Sequence, residues 1–279
     1  MIKFSVAMCV YAGDDPLHLK LAVDSVLNQT VKPDEIVLVI DGKVPSSTID
    51  VIERFPMLKV IHLPQNYGLG IARQKSLQHC THDIVAIMDA DDICASVRFE
   101  KQLAVINENK LLSVVGSNIA EFRESPENIH SYRVVPQRDS DIKEYMKKRC
   151  PINHMTVMLR KSDIEKAGGY KDWHYNEDYY LWIRMSLMDM RFENIYEPLV
   201  YVRMTEDTYR RRGGWRYFIS EAKIQYYMFS RNMIQFGRLL INITQRIVVQ
   251  LLLPNCFRRW IFNRFARKRT LVNTNKKYK

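Results

Sequence analysis

Several features are missing from this sequence, and each absence narrows its reading. Its five cysteines, Cys9, Cys80, Cys94, Cys150 and Cys256, contain no Cys-x-x-Cys pair, so neither a zinc site nor a disulfide framework is indicated and a reducing, cytosolic setting is expected. Met1 to Tyr11 is too short an apolar run for a secretion signal, and Asp14, Asp15 and Pro16 follow it without a small-residue cleavage pattern. No glycine-rich, lysine-bearing phosphate loop follows the first apolar stretch, which counts against a nucleotidyltransferase acting on sugar phosphates. No Asp or Glu occurs after Glu221, while residues 222–279 carry thirteen Lys and Arg. The net charge of +11 therefore sits in the tail, over a near-neutral body. Such a block points to an anionic surface, either phospholipid or nucleic acid.

With 279 residues, 47% of them hydrophobic, the chain is globular and holds one large or two modest domains. Its organising stretch runs from Ile84 to Ile93, where five buried-type residues end in Asp89, Asp91 and Asp92. An apolar, β-branched run of this kind suits a strand covered on both faces, and its carboxyl end is where open α/β sheets bind ligands. Clustered carboxylates repel one another unless a cation sits among them, and oxygen-rich sets favour Mn²⁺ or Mg²⁺. The structural alternative is a solvated helix start with Asp92 as cap. An EF-hand fails because Ile93 and Cys94 stand where a ligand and the turn glycine belong. A phosphatase of the D-x-D-x-T kind would need a hydroxyl residue where Ile93 stands.

Periodicity predicts strands at Phe4–Tyr11, Glu35–Ile40, Leu58–Leu63 and from Ile84, alternating with helices at Pro16–Asn28, Ser47–Phe55 and Leu69–His79. Four β-α units call for a parallel sheet. Tyr11, Asp41, Asp89 and Asp91 then converge at one edge, and the turn Asn66–Arg73 offers backbone N–H groups and Arg73 to an anion. Beyond it come a helix at Val97–Asn107 and strand segments at Ser113–Ser117 and Ile119–Phe122. Residues 123–141 read as a long surface loop. A helix at Ile142–Arg149, a strand at Met155–Leu159 and a helix at Lys161–Ala167 closed by Gly168 and Gly169 follow. Glu177 and Asp178 open an aromatic helix reaching about Met188, where acids also complement the helix dipole. Arg203 and Arg210-Arg211-Arg212 form a cationic loop before a helix over Trp215–Asn232.

The order of these features is what carries a family resemblance. A buried strand ending in Val-Tyr, a strand ending at Asp41, Asn-x-Gly-x-x-x-Ala-Arg, Asp-Ala-Asp-Asp, Gly-Gly-Tyr and then Glu-Asp before an aromatic helix together resemble family 2 glycosyltransferases of the GT-A fold over roughly residues 3 to 215. Bacterial enzymes that build O-antigen or exopolysaccharide repeat units are the nearest in kind. The resemblance implies a Rossmann-like, mostly parallel sheet flanked by helices, with a domain at 1–215 whose nucleotide-sugar half is 1–122 and acceptor half 142–215. It implies inverting transfer of one hexose, of galactose or glucose type or an N-acetyl form, from a UDP-sugar to a lipid-pyrophosphate-linked sugar. Tyr11 would lie against the uracil, Asp41 would bond its ring N–H, and Arg73 would sit beside the nucleotide. Asp89 would touch the ribose, Asp91 would hold Mn²⁺ or Mg²⁺ on the diphosphate, and Asp178 would be the general base, with Glu177 in reserve. His154 is assigned to the acceptor side. The second strand ends Ile-Asp-Gly where the family commonly has Asp-Asp-Gly-Ser, and the Gln-x-x-Arg-Trp signature of processive synthases is absent, so addition of one sugar per encounter is expected.

Residues 216–279 read as a helical, basic extension. Phe236–Leu253 contains Arg238, Asn242, Gln245, Arg246 and Gln250, which argues against a membrane span. The stretch from Phe257 to Arg269 mixes four aromatic residues with six cations, the composition of an interfacial anchor. The expectation is peripheral attachment to anionic phospholipid on the inner face of a bacterial plasma membrane, with no nucleic acid bound. A helical hairpin packed on the domain, or nucleic-acid binding by the basic tail, are the alternatives.

Overall fold

The computed structural model describes residues 2–205, 213–254 and 267–271. The chain runs β1 (Phe4–Val10), α1 (Pro16–Leu27), β2 (Glu35–Asp41), α2 (Ser46–Glu53), β3 (Leu58–Leu63), α3 (Leu69–His79), β4 (Ile84–Asp89), β5 (Ile93–Cys94), α4 (Arg98–Glu108) and β6 (Leu112–Phe122). It continues through β7 (Ile129–Arg133), α5 (Asp139–Met146), a 3₁₀ turn (His154–Thr156), β8 (Met158–Arg160), α6 (Lys161–Lys166), α7 (Glu177–Leu187) and β9 (Arg191–Arg203). A hairpin of α8 (Trp215–Ser230) and α9 (Phe236–Arg246), extended by a π-helical turn at Ile247–Leu252, completes the described elements.

Local chemistry accounts for the early boundaries. Asp15 caps α1 by accepting the Leu17 N–H at 2.7 Å, with Pro16 pre-set for the first turn. Gly68, at φ +88°, turns the chain into α3. Apolar residues alternate across the strands, so two cores form. Val6, Met8 and Leu38 meet α1, α2 and α4 on one face, while Ala7, Val85 and Ile87 meet α3, α7 and α8 on the other.

The sheet order is β3-β2-β1-β4-β8-β6-β9-β5, with β7 beside β6. The first four strands are parallel as expected, but β8 runs antiparallel to both β4 and β6, and β5 and β7 are antiparallel additions. The sheet is therefore mixed, which corrects the expectation of a mostly parallel one. Three strands escaped sequence reading, the two-residue β5 among them. β7 lies inside the predicted long loop, and the thirteen-residue β9 carries Pro198 and frequent charges that demote a strand pattern. Pro198 is accommodated where the β6–β9 register shifts, around Ser117 and Asn118.

The α8–α9 hairpin is polar inside. Arg246 Nε donates to Glu221 at 2.6 Å, Asn242 donates to Gln225 at 2.6 Å, and both Arg246 and Asn242 also donate to the carbonyls of Lys148 and Lys147 after α5. On the outer side Phe236, Leu240, Ile241, Val248 and Leu252 are exposed, Leu240 at 51% and Leu252 at 68%. Among the described residues, no helix is long and apolar enough to cross a membrane.

Candidate active site

Strand register builds the crevice. Val10 pairs with Ile40 and Cys9 with Asp89, so Tyr11, Asp41 and Asp89 emerge side by side at one sheet edge. Tyr11 is exposed, and its ring folds over Gly13, where an added Cβ would meet the tyrosine hydroxyl at 2.5 Å. Asp41 is only 5% exposed, and its two oxygens accept the N–H groups of Tyr67 and Gly68 at 2.8 and 3.0 Å. Its first task is thus to hold the Asn66–Gly68 turn. Gly42 is required beneath that turn: it stands at φ +84°, and a Cβ would meet the Asn66 nitrogen at 2.6 Å.

Arg73 is buried between two carboxylates. Its guanidinium reaches Glu177 at 2.5 Å and Asp89 at 3.1 Å, tying the start of α7 to the end of β4. Burial alone would lower the Arg73 pKa, but Asp89 and Glu177 outweigh it and hold the group above its ordinary range. Gly70 lets α3 and the segment before α7 close up, since a Cβ there would meet the Lys171 carbonyl at 2.8 Å. The sequence reading put Arg73 beside the nucleotide; the structure gives it this bridging contact.

The three acids after β4 divide their tasks. Asp89 is half-buried against Arg73. Asp92 turns into the protein, accepts the Arg203 N–H at 3.1 Å, and is pushed well up by burial and by Asp91 and Asp89. Asp91 remains half-buried at the crevice. Among the described residues no group of three or more His, Cys, Asp or Glu is arranged to hold a metal. A different arrangement fits the donor set: Mg²⁺ and Mn²⁺ are commonly held by one or two carboxylates with substrate phosphates and water, and Asp91 suits that role.

Asp178 is half-buried next to Glu177. One oxygen accepts the Tyr179 N–H at 2.7 Å, and the other lies 3.8 Å from the Cys150 sulfur. Burial raises its pKa, with Arg73 and Arg133 opposing. Burial also pushes Glu177 up, to about 7, against the pull of Arg73. His154 lies in the core below these groups: its Nε2 is 2.9 Å from the Tyr170 hydroxyl and its ring neighbours Trp182. Burial, reinforced by Arg73 and Arg98, holds it well below the ordinary histidine range, so it is neutral. The side chain expected on the acceptor side is therefore a core residue.

Sequence reasoning set Arg203 in a cationic loop because the strand carrying it was unrecognised; it ends β9, where its N–H fixes Asp92 and its guanidinium lies over Phe122. Sequence reasoning missed Arg98, fully buried behind β4 and donating to the Ile87 carbonyl at 2.7 Å. No local signal marks that arginine as internal. The Arg210–Arg212 loop lies outside the described residues, as do Cys256 and all but Arg267–Arg269 of the aromatic, cationic stretch.

A mixed sheet with acids at its strand ends and a carboxylate pair facing them across Arg73 defines a GT-A-type glycosyltransferase scaffold. The family model described as Glycosyl transferase family 2 matches residues 5–165, and the chain belongs to that family and is a glycosyltransferase. It is 39% identical over 269 residues to the Escherichia coli UDP-Gal:alpha-D-GlcNAc-diphosphoundecaprenol beta-1,3-galactosyltransferase, covering 95% of this chain and 97% of that protein. It is 36% identical over 224 residues to the amylovoran biosynthesis glycosyltransferase AmsE of Erwinia amylovora, covering 79% and 84%. Staphylococcus aureus TarS in complex with UDP-GlcNAc shares the fold with a TM-score of 0.66 at 17% identity, over 88% of this chain and 73% of that one. The Pyrobaculum calidifontis mannosyltransferase PcManGT in complex with GDP-Man and Mn²⁺ matches with a TM-score of 0.60 at 14% identity, over 92% and 71%.

Proposed function

We propose that the protein is an inverting hexosyltransferase that moves one sugar from a UDP-sugar to a hydroxyl of a lipid-pyrophosphate-linked sugar during O-antigen or exopolysaccharide assembly. The donor is of galactose or glucose type, or an N-acetyl form. The likeness to the E. coli galactosyltransferase, over nearly the whole of both chains, supports the substrate class. The observation that carries the mechanism is the Arg73 bridge, which fixes the Glu177–Asp178 pair against the end of β4.

In this reading Tyr11 stacks on the base, Asp89 borders the ribose, and Asp41 shapes the turn from which backbone N–H groups face the nucleotide. Asp178 takes the proton from the acceptor hydroxyl as its oxygen bonds to the anomeric carbon, and UDP leaves with the electrons of the broken bond. Glu177 is held by Arg73 and positions its neighbour. A divalent ion held by Asp91 would neutralise charge developing on the departing diphosphate.

The hairpin supports peripheral attachment to an anionic leaflet. Glu221, Gln225, Asn242 and Arg246 are spent internally, Leu240, Ile241, Val248 and Leu252 face outward, and the tail beyond is cationic, which together suit a bilayer surface.

The decisive experiment is Asp178→Asn. It should retain UDP-sugar affinity and lower kcat by about 10² to 10⁴, the range of general-base catalysis. Wild-type turnover with a lowered Tm would instead assign Asp178 to the helix terminus. Asp91→Ala should abolish the stimulation by Mn²⁺ or Mg²⁺ while near-UV circular dichroism stays native; full wild-type activity in EDTA would refute the metal.

A further inference from the structure

We propose that Arg133 and Arg149 form the subsite for the diphosphate of the acceptor, next to the Cys150–Asp178 contact. This rests on the reading of Asp178 as base and of the acceptor as a diphosphate-linked sugar. The chain of contacts is short. Arg133 ends β7 and donates to the Cys150 carbonyl at 2.9 Å, and the Cys150 sulfur lies 3.8 Å from Asp178. Arg149 directly precedes Cys150. The segment at 267–271 returns to the edge of β7, where Tyr132 and Lys268 exchange backbone hydrogen bonds at 2.8 and 2.9 Å. That pairing brings Arg267 onto Glu121, with its Nε 2.7 and 2.5 Å from the two carboxylate oxygens.

The charge balance of this cluster favours an anion. Glu121 offsets Arg267, whereas Arg133 makes no ion pair with a carboxylate among the described residues. Burial, and then Arg133 and Arg267, hold Arg149 below the ordinary guanidinium range, the mark of cations crowded in a partly dry place. Guanidinium forks match phosphate oxygens in pairs, which suits a diphosphate better than a neutral hydroxyl. Both Arg133 and Arg149 are half-buried and so remain reachable. Position agrees as well. Arg246 of the hairpin donates to the Lys148 carbonyl, one residue from Arg149, so the cluster adjoins the inner side of the hairpin as well as the carboxylate pair.

The test compares kcat/KM for a sugar-diphosphate-lipid acceptor with that for an uncharged alkyl glycoside of the same sugar, in the full-length protein and in Arg133→Gln and Arg149→Gln. The ratio should fall about tenfold to a hundredfold in each variant, the scale of one charge-assisted bond. Arg133→Lys should restore part of it. In the wild type, inorganic pyrophosphate should compete with the acceptor, a readout that needs no variant to fold. An unchanged ratio, or pyrophosphate competing only with the UDP-sugar, overturns the subsite while leaving the transferase reading intact. Failure of the wild type to use any diphosphate-linked sugar removes that reading and the subsite with it.

Discussion

The sheet domain and the C-terminal hairpin handle polarity in opposite ways. In the domain, aliphatic residues fill both cores and the acids stand at strand ends, around the crevice. In the hairpin, Glu221, Gln225, Asn242 and Arg246 are buried against one another and against the end of α5, while Leu240, Ile241 and Leu252 face outward. Both obey one rule, since buried polar groups must be paired and large apolar faces must be covered. The domain covers its apolar surface with its own helices. The hairpin leaves its outer face exposed, and in the proposed reading a bilayer covers it.

The interior of the hairpin is where a single substitution costs most. Glu221→Gln leaves Arg246 buried without its charge partner, both side chains being about one-tenth exposed. Loss of one member of such a pair costs about 3–5 kcal/mol, so thermal unfolding should shift strongly downward. Paired Leu240→Ser and Ile241→Ser substitutions on the outside should change stability by only about 0.5 kcal/mol. They should nevertheless reduce flotation with anionic vesicles, in low and high salt alike. Unchanged flotation would show that this face is not the lipid contact.

In the sheet domain a smaller effect is expected, at Glu177. Glu177 has a folded pKa raised to about 7 by burial, so the folded chain binds its proton more tightly than the unfolded chain does. Its contribution to stability is present below the ordinary carboxylate range and is lost as pH rises toward about 7. Asp178 is raised in the same direction but must be ionised to act, so activity should climb with pH while this stability contribution declines. Glu177→Gln should flatten the dependence of Tm on pH across that window; an unaltered slope would show that Glu177 does not carry it.

Sequence alone determined what depends on neighbours in the chain. The first four strands and their helices were legible because apolar period and capping residues are local signals, and Leu58–Leu63 and Leu69–His79 fall where the pattern put them. The adjacency of Glu177 and Asp178 at a helix start was legible for the same reason. Tertiary structure alone decided pairings between distant residues. Arg73 meets Glu177 across 104 positions, and Asp92 is turned inward by a strand that sequence reading did not find. No period reports whether a carboxylate faces a crevice or an N–H group, because that depends on which segments pack beside it. The hairpin shows the same limit: its apolar and polar residues were plain in the sequence, but only packing against α5 and α8 decided which of them turned inward.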